Sequence, residues 1–383
     1  MEQVLRPISP APVFPAELQK EKVKQRVESY DVARSIAVIG MVLVNYSAIF
    51  HPTSENGVDW LVGTADFLTG RAAALFIMLA GVGVGLMAQS AFEDNDHGKM
   101  VRIRYSLLKR SFFLLVAGFF FMQVWGSDIL HFYAVYLVLA SWLLNCRASL
   151  LLRLAAINFL LFTALFYLMA GEVGLPDIHG VRWAVDAIDD YFFSGLYAVL
   201  PWGSFMLIGT FMVRSGLIHN RLRLMKTFFW ALFTYLCIVS FQVAVGYWLA
   251  KTTAGEGLVF LEVLQAADCF PITPLFFLSS TATSIMVIAA VLLVEKVRML
   301  QNLFSVLKDM GRFTLTIYVG HILWGQGVHQ AVKHLFFLPY SHMAFQVSVF
   351  TTLILTACCA RYWAKHFRYG PLEWLLRSLT CSI

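Results

Sequence analysis

Arg34, Asn45 and His51 fall within or just beyond one apolar stretch, YDVARSIAVIGMVLVNYSAIFH, over residues 30–51. An arginine, an amide and an imidazole are costly in hydrocarbon, so such groups on an apolar helix point to function. Arg34 and Asn45 are eleven residues apart, which at about 100° per residue puts them on nearly the same helix face. Asp31 precedes Arg34 by one turn. Asp31, Arg34, Val38, Met41 and Asn45 therefore form a stripe with polar groups at both ends. At a rise of about 1.5 Å per residue, Arg34 and Asn45 are roughly 16 Å apart along the axis. The chemistry on offer is distinct at each point. A guanidinium binds phosphate or carboxylate, an amide N–H can donate to a developing oxyanion, and a histidine near neutrality can act as general base or nucleophile. A plainer reading has Arg34 reaching for headgroups and Asn45 capping or bridging helices.

Other polar groups sit equally deep. Asp66 and Arg71 lie in ADFLTGRAAALFIMLAGVGVG, five residues apart, each needing a partner elsewhere. Arg71 suits an anion. Gly81, Gly83 and Gly85 lie in an apolar helix, where small residues allow close packing. Asp128 and His131 open SDILHFYAVYLVLA one turn apart. The aspartate either orients the histidine or caps the helix. Pro201 and Trp202 stand in an apolar run, where a proline should kink the helix and free carbonyls toward a cavity. Tyr318 and His321 share a face within GRFTLTIYVGHILWGQGVHQ, and a histidine at that depth needs a partner or water.

These groups must be positioned by a membrane-embedded frame. Of 383 residues, 59% are hydrophobic and 14% charged, and the mean hydropathy is +0.70, far from a soluble domain. At roughly 20 residues per span the chain makes about ten transmembrane helices, over 31–50, 63–88, 106–125, 128–146, 149–170, 193–213, 226–250, 273–295, 313–335 and 342–362. The expected fold is an all-α polytopic bundle. Placing the amino-terminal arm, alternate loops and the carboxy-terminal tail on one side gathers 24 of the 29 basic residues there, against three on the other. That asymmetry puts both termini in the cytoplasm. The expected organisation is an arm over 1–28, a membrane domain over 29–364 and a tail over 365–383. The basic residues lie between spans and carry no nucleic-acid signature. The six cysteines have no metal-ligand spacing. The outer loops hold acidic residues, Glu172, Asp177, Asp186, Asp189, Asp190, Glu256, Glu262 and Asp268, that would be solvated or meet an acceptor.

Several segments resemble a known group. DVARSIAVIGMVLVNY resembles the opening helix of the YeiB-like bacterial membrane proteins and of the heparan-glucosaminide acetyltransferase catalytic domain, through Asp31, Arg34 and Asn45, with Ser35 where glycine is usual. The outer loop of that acetyltransferase is similar at His51, Asn56, Gly57 and Asp66. GRFTLTIYVGHILW matches a late helix through Tyr318, Gly320 and His321. FRYGPLEWLLRSLT is similar to the YeiB-like tail through Gly370, Pro371, Glu373, Trp374 and Arg377.

The resemblance implies an acyltransferase in a bacterial cytoplasmic membrane. It would move an acyl group from acetyl-CoA or another acyl-CoA, without a metal, to a hydroxyl or amine of a sugar, glycan or small molecule at the outer face. On that analogy His51 is base or acyl carrier, Asn45 the oxyanion donor, and Asp66 an orienting group. Arg34, Arg71, Tyr318 and His321 serve the donor, with Arg102, Arg104 and Arg312 at its mouth. His131 and Trp202 line the channel. Membrane lipid surrounds the bundle, and a homodimer is compatible with the pattern. A small-molecule transporter or exporter is the competing expectation, because it too would carry polar groups inside its spans.

Overall fold

The computed structural model describes residues 16–52, 60–170, 191–192, 195–249, 251, 268–269, 272–335 and 342–380. Among them the chain is helical throughout and forms no strand. The helices in order are α1 (Ala16–Phe50), α2 (Trp60–Leu68), α3 (Arg71–Glu93), α4 (His97–Met122), α5 (Leu130–Trp142), α6 (Ala148–Ala170), α7 (Val199–Arg214), α8 (Arg221–Leu249), α9 (Pro274–Val294), α10 (Gln301–Arg312), α11 (Thr314–Leu335), α12 (His342–His366) and α13 (Pro371–Thr380). Six described helices, α1, α3, α4, α8, α9 and α12, contain stretches long and apolar enough to cross a membrane, and α5, α7 and part of α6 are shorter apolar helices. The protein is thus an all-α integral membrane protein.

α1 packs against α2, α3, α9, α10, α11 and α12. Its apolar stripe, Ala33, Ala37 and Met41, joins the main core with α3, α5 and α7. The most extensive crossing is α3 on α7, and glycine makes it close. A Cβ on Gly81 would lie 2.0 Å from the Met206 carbonyl oxygen, and one on Gly209 would lie 2.0 Å from that of Met78. This reciprocal contact brings two backbones together as small residues do between membrane helices.

Three expectations from sequence need correction. The expected span over 63–88 is broken: α2 ends at Leu68 and α3 starts at Arg71. The break is at Gly70, whose φ of 70° is a conformation that glycine alone adopts without steric cost. A window of about 19 residues averages Asp66, Thr69 and Arg71 into the apolar runs around them, which is why hydropathy hides the break. Pro201 does not kink a helix. α7 begins at Val199, so Pro201 falls in the first turn, where its missing N–H is needed by no intrahelical bond. The basic loop over 296–312 is largely helix α10, which lies against α1 and α12. Lys308 pairs with Glu28 at 3.3 Å, Ser35 donates to the Leu307 carbonyl, and Arg361 holds Asp309 at 3.2 Å.

The tail has a structural task as well. Glu373 of α13 accepts the Leu315 and Thr316 N–H groups at 2.7 and 3.0 Å. Those are free donors at the start of α11, and a carboxylate there also meets the positive end of the helix dipole.

Candidate functional site

The last third of α1 and the middle of α11 meet where both carry polar groups. The Asn45 Nδ2 lies 3.0 Å from the His321 Nε2. The His321 Nδ1 lies 2.9 Å from the Ile317 carbonyl oxygen one turn earlier. A carbonyl can only accept, so Nδ1 carries the proton. In the neutral ring Nε2 is then a lone pair, and it accepts from the Asn45 amide. His321 is 1% exposed, and this pairing satisfies both its nitrogens. Tyr46, next to Asn45, donates to the His321 carbonyl at 3.0 Å and exchanges a 2.9 Å hydrogen bond with Thr352. α1, α11 and α12 are therefore tied together around one imidazole.

A second network lies beside the first. The Tyr318 hydroxyl donates to Asp128 Oδ1 at 3.2 Å. Asp128 Oδ2 accepts the Leu130 N–H at 2.9 Å and faces His131 Nδ1 at 3.1 Å. Asp128 thus caps α5 and orients His131 at once, with 1% of its surface exposed. His131 is enclosed by the rings of Phe119, Phe132 and Tyr191.

The two networks share a cavity of ≈ 20 Å³ lined by Met41, Asn45, Gly70, Ser127, Tyr197 and Tyr318, among others. That is room for about one water in this conformation. Trp202 stands behind it, buried against Tyr197 at 5.2 Å between ring centroids, and does not line it. On its other side His321 faces a larger groove between α11, α12 and α13.

The remaining site residues lie further out. His51 ends α1, exposed, with a φ of 42° and its N–H on the Ser47 carbonyl at 3.0 Å. Six residues from Asn45, it leaves α1 about 120° away from the Asn45 direction, and it stands apart from the Asn45–His321 pair. Asp66 is exposed on α2. Asn56, Gly57 and all the acidic outer-loop residues except Asp268 lie outside the described residues.

Arg71 opens α3 as a knot between helices. It donates to the Phe67 carbonyl at 2.9 Å and to Ser279 at 3.3 Å, with its guanidinium over the rings of Phe67 and Phe276. Near it, outside the spans, burial pushes the Cys269 thiol up to about 11. Arg34 lies about three turns before Asn45 on α1, half-buried, paired with Asp31 at 2.5 Å and facing Gly83 of α3. Arg104 donates to the Ser141 carbonyl at 3.0 Å, and Arg312 to that of Arg368 at 3.0 Å.

Sequence reasoning marked Asn45 and His321 separately, with no signal that they touch. It missed Tyr46, which reads as an ordinary aromatic of an apolar run, and it left the role of Asp128 open between cap and support.

Two family matches cover nearly the whole chain. The family described as heparan-alpha-glucosaminide N-acetyltransferase, catalytic, matches residues 26–251. The family described as protein of unknown function (DUF418), the YeiB-like family, matches residues 212–382. A search of curated proteins finds no match. The first match takes in more than half of the 383 residues and holds α1 with Asn45. The chain therefore belongs to the heparan-alpha-glucosaminide N-acetyltransferase catalytic family, a membrane acetyltransferase family, and is related to the YeiB-like proteins.

Proposed function

We propose that this protein transfers an acyl group from a cytoplasmic acyl-CoA to a hydroxyl or amine acceptor at the outer face of a bacterial cytoplasmic membrane. In this reading the bundle has about ten spans and both termini are cytoplasmic, as the basic residues favour. The observation that carries the reaction is the Asn45–His321 pair, with Nε2 as its lone-pair nitrogen and a small chamber alongside.

An acceptor hydroxyl entering between the two side chains would meet the base and the oxyanion donor together. Its oxygen forms a bond to the thioester carbon while its proton passes to His321 Nε2. The Asn45 amide, released from Nε2, donates to the oxyanion, a contact worth roughly 3–4 kcal/mol in such sites. Tyr318 lines the same chamber, its hydroxyl proton held by Asp128. The C–S bond then breaks, and the thiolate of CoA takes the proton from His321. Ile317 keeps the ring in the tautomer that this cycle needs.

Arg34, Arg102 and Arg104 offer cations for the donor phosphates. Arg71 binds beside the chamber, between α2 and α9. His51 and Asp66, at the far end of α1 and on α2, act on the acceptor. Asp128 and His131 hold Tyr318 in place. The family match points to acyl transfer rather than transport.

The test is release of free thiol from acetyl-CoA by the purified protein in bilayers, with candidate sugars and amines as acceptors. His321→Ala and Asn45→Ala are each expected to lower turnover about 100-fold or more. Turnover that survives both overturns the assignment. Loss in His51→Ala alone moves the base to the end of α1.

A further inference from the structure

The groove on the other side of His321 is a site in its own right. It has a volume of ≈ 280 Å³ and is lined chiefly by Phe313, Ile317, Gly320, His321, Ala360 and Trp363. Its few polar groups are already engaged. Thr356 donates to the Thr352 carbonyl and Thr316 to Glu373. Both nitrogens of His321 are held by Ile317 and Asn45. The wall therefore presents carbon, which suits an apolar ligand and leaves water without partners.

Glycine opens this groove. A Cβ on Gly320 would meet nothing within 4 Å, whereas one on Gly325, further along the same helix, would lie 2.6 Å from the Tyr46 ring. Gly325 is spent on helix packing; Gly320 leaves space. The groove is open at Gly320 and Cys359, both of which line it and are exposed, and α12, one of its walls, is apolar enough to cross the membrane. A slot of this kind in a bilayer is reached by lipid chains directly.

The rim decides the kind of lipid. Arg312 reaches across the end of the groove to the Arg368 carbonyl at 3.0 Å, two residues before Gly370 of the lining. Lys365 and Arg368 are exposed there. The nearby acids are engaged: Glu373 is turned onto the N–H groups of α11, and Asp309 is shared between Arg312 at 3.8 Å and Arg361 at 3.2 Å, so the rim keeps a net positive charge. Basic side chains at the membrane surface attract anionic headgroups.

We propose that this groove binds one acyl chain of an anionic phospholipid, with the headgroup on Arg312 and Arg368 and the chain running along Gly320 toward His321. This goes beyond the acyl-transfer reading and stands without it. It gives the site a lipid contact on the carbon side of its imidazole.

Native mass spectrometry of the full-length protein, exchanged into detergent with phosphatidylglycerol or phosphatidylcholine, tests this. Wild type and Gly320→Ala are expected to retain phosphatidylglycerol, and Gly320→Trp to retain at least tenfold less with an unchanged melting temperature. Arg312→Gln with Arg368→Gln should erase the preference for phosphatidylglycerol over phosphatidylcholine. Equal retention by Gly320→Trp, or equal retention of both lipids by wild type, overturns the proposal. Long-chain acyl-CoA retained in place of phospholipid also overturns it. Cys359 lines the same groove, so a second check is available in a background whose other cysteines are serine. Maleimide labelling of Cys359 should slow severalfold in phosphatidylglycerol bilayers relative to phosphatidylcholine, and an unchanged rate counts against the site.

Discussion

Asn45 and His321 are 276 positions apart in the chain and 3.0 Å apart in space. The contact has a direction, because the Ile317 carbonyl forces the ring proton onto Nδ1 and leaves Nε2 to accept from the amide. Replacing Asn45 with aspartate removes the donor while keeping the shape. The carboxylate can only accept, so Nε2 must carry a proton and His321 becomes a cation that cannot act as base. Asn45→Asp is expected to lose turnover as fully as Asn45→Ala, measured by thiol release, while retaining more of the melting temperature. In the double variant Asn45→Ala/His321→Ala, the losses should fall well short of additive, as for residues acting as one unit.

Asp128 joins His131, Tyr318 and the start of α5 through one buried carboxylate. Asp128→Ala leaves those partners buried without an acceptor, and the expected cost is roughly 2–5 kcal/mol. Asp128→Asn keeps one acceptor oxygen and should cost less. Thermal unfolding in detergent, followed by tryptophan fluorescence, reads both. Equal melting temperatures for wild type and Asp128→Ala would exclude this role.

Glu373 caps a helix that lies elsewhere in the chain. Glu373→Ala should lower stability by about 1–2 kcal/mol, the range for losing a cap that is also a charged acceptor. Glu373→Gln retains one oxygen and should lose about half as much. Melting temperatures of the two variants against wild type give the comparison, and protease cleavage near Pro371 should become faster in Glu373→Ala.

Cys269 sits under Gly70 at the α2–α3 break, where burial raises its thiol to about 11. A raised thiol pKa means less thiolate at neutral pH, and the thiolate is the reactive form. In a variant whose other cysteines are serine, alkylation by a soluble maleimide should be slow at pH 8. The rate should still be climbing at pH 10, where that of an ordinary cysteine has levelled. A plateau near pH 9 would show that the thiol is open to water.

The helical, membrane-embedded character of the chain was legible in the residues alone, because burial in hydrocarbon imposes long apolar runs on each helix whatever its neighbours. The same pressure made Arg34, Asn45, Arg71 and His321 visible, since polar groups stand out against those runs. The helix break at Gly70 was not legible. Hydropathy records what a residue prefers as solvent, and φ is a different property. α10 was hidden for the opposite reason. Its charged face reads as a loop until α1 and α12 supply a surface for its other face.

What tertiary structure decided is which polar groups meet. It paired Asn45 with His321, set Tyr318 on Asp128, placed His51 apart at the helix end, and turned Glu373 onto α11. Local periodicity determines the face of one helix on which a residue lies, whereas the partner across the interface depends on how whole helices pack. In this chain that packing rests on glycine contacts such as Gly81 with Met206, which only the assembled bundle contains.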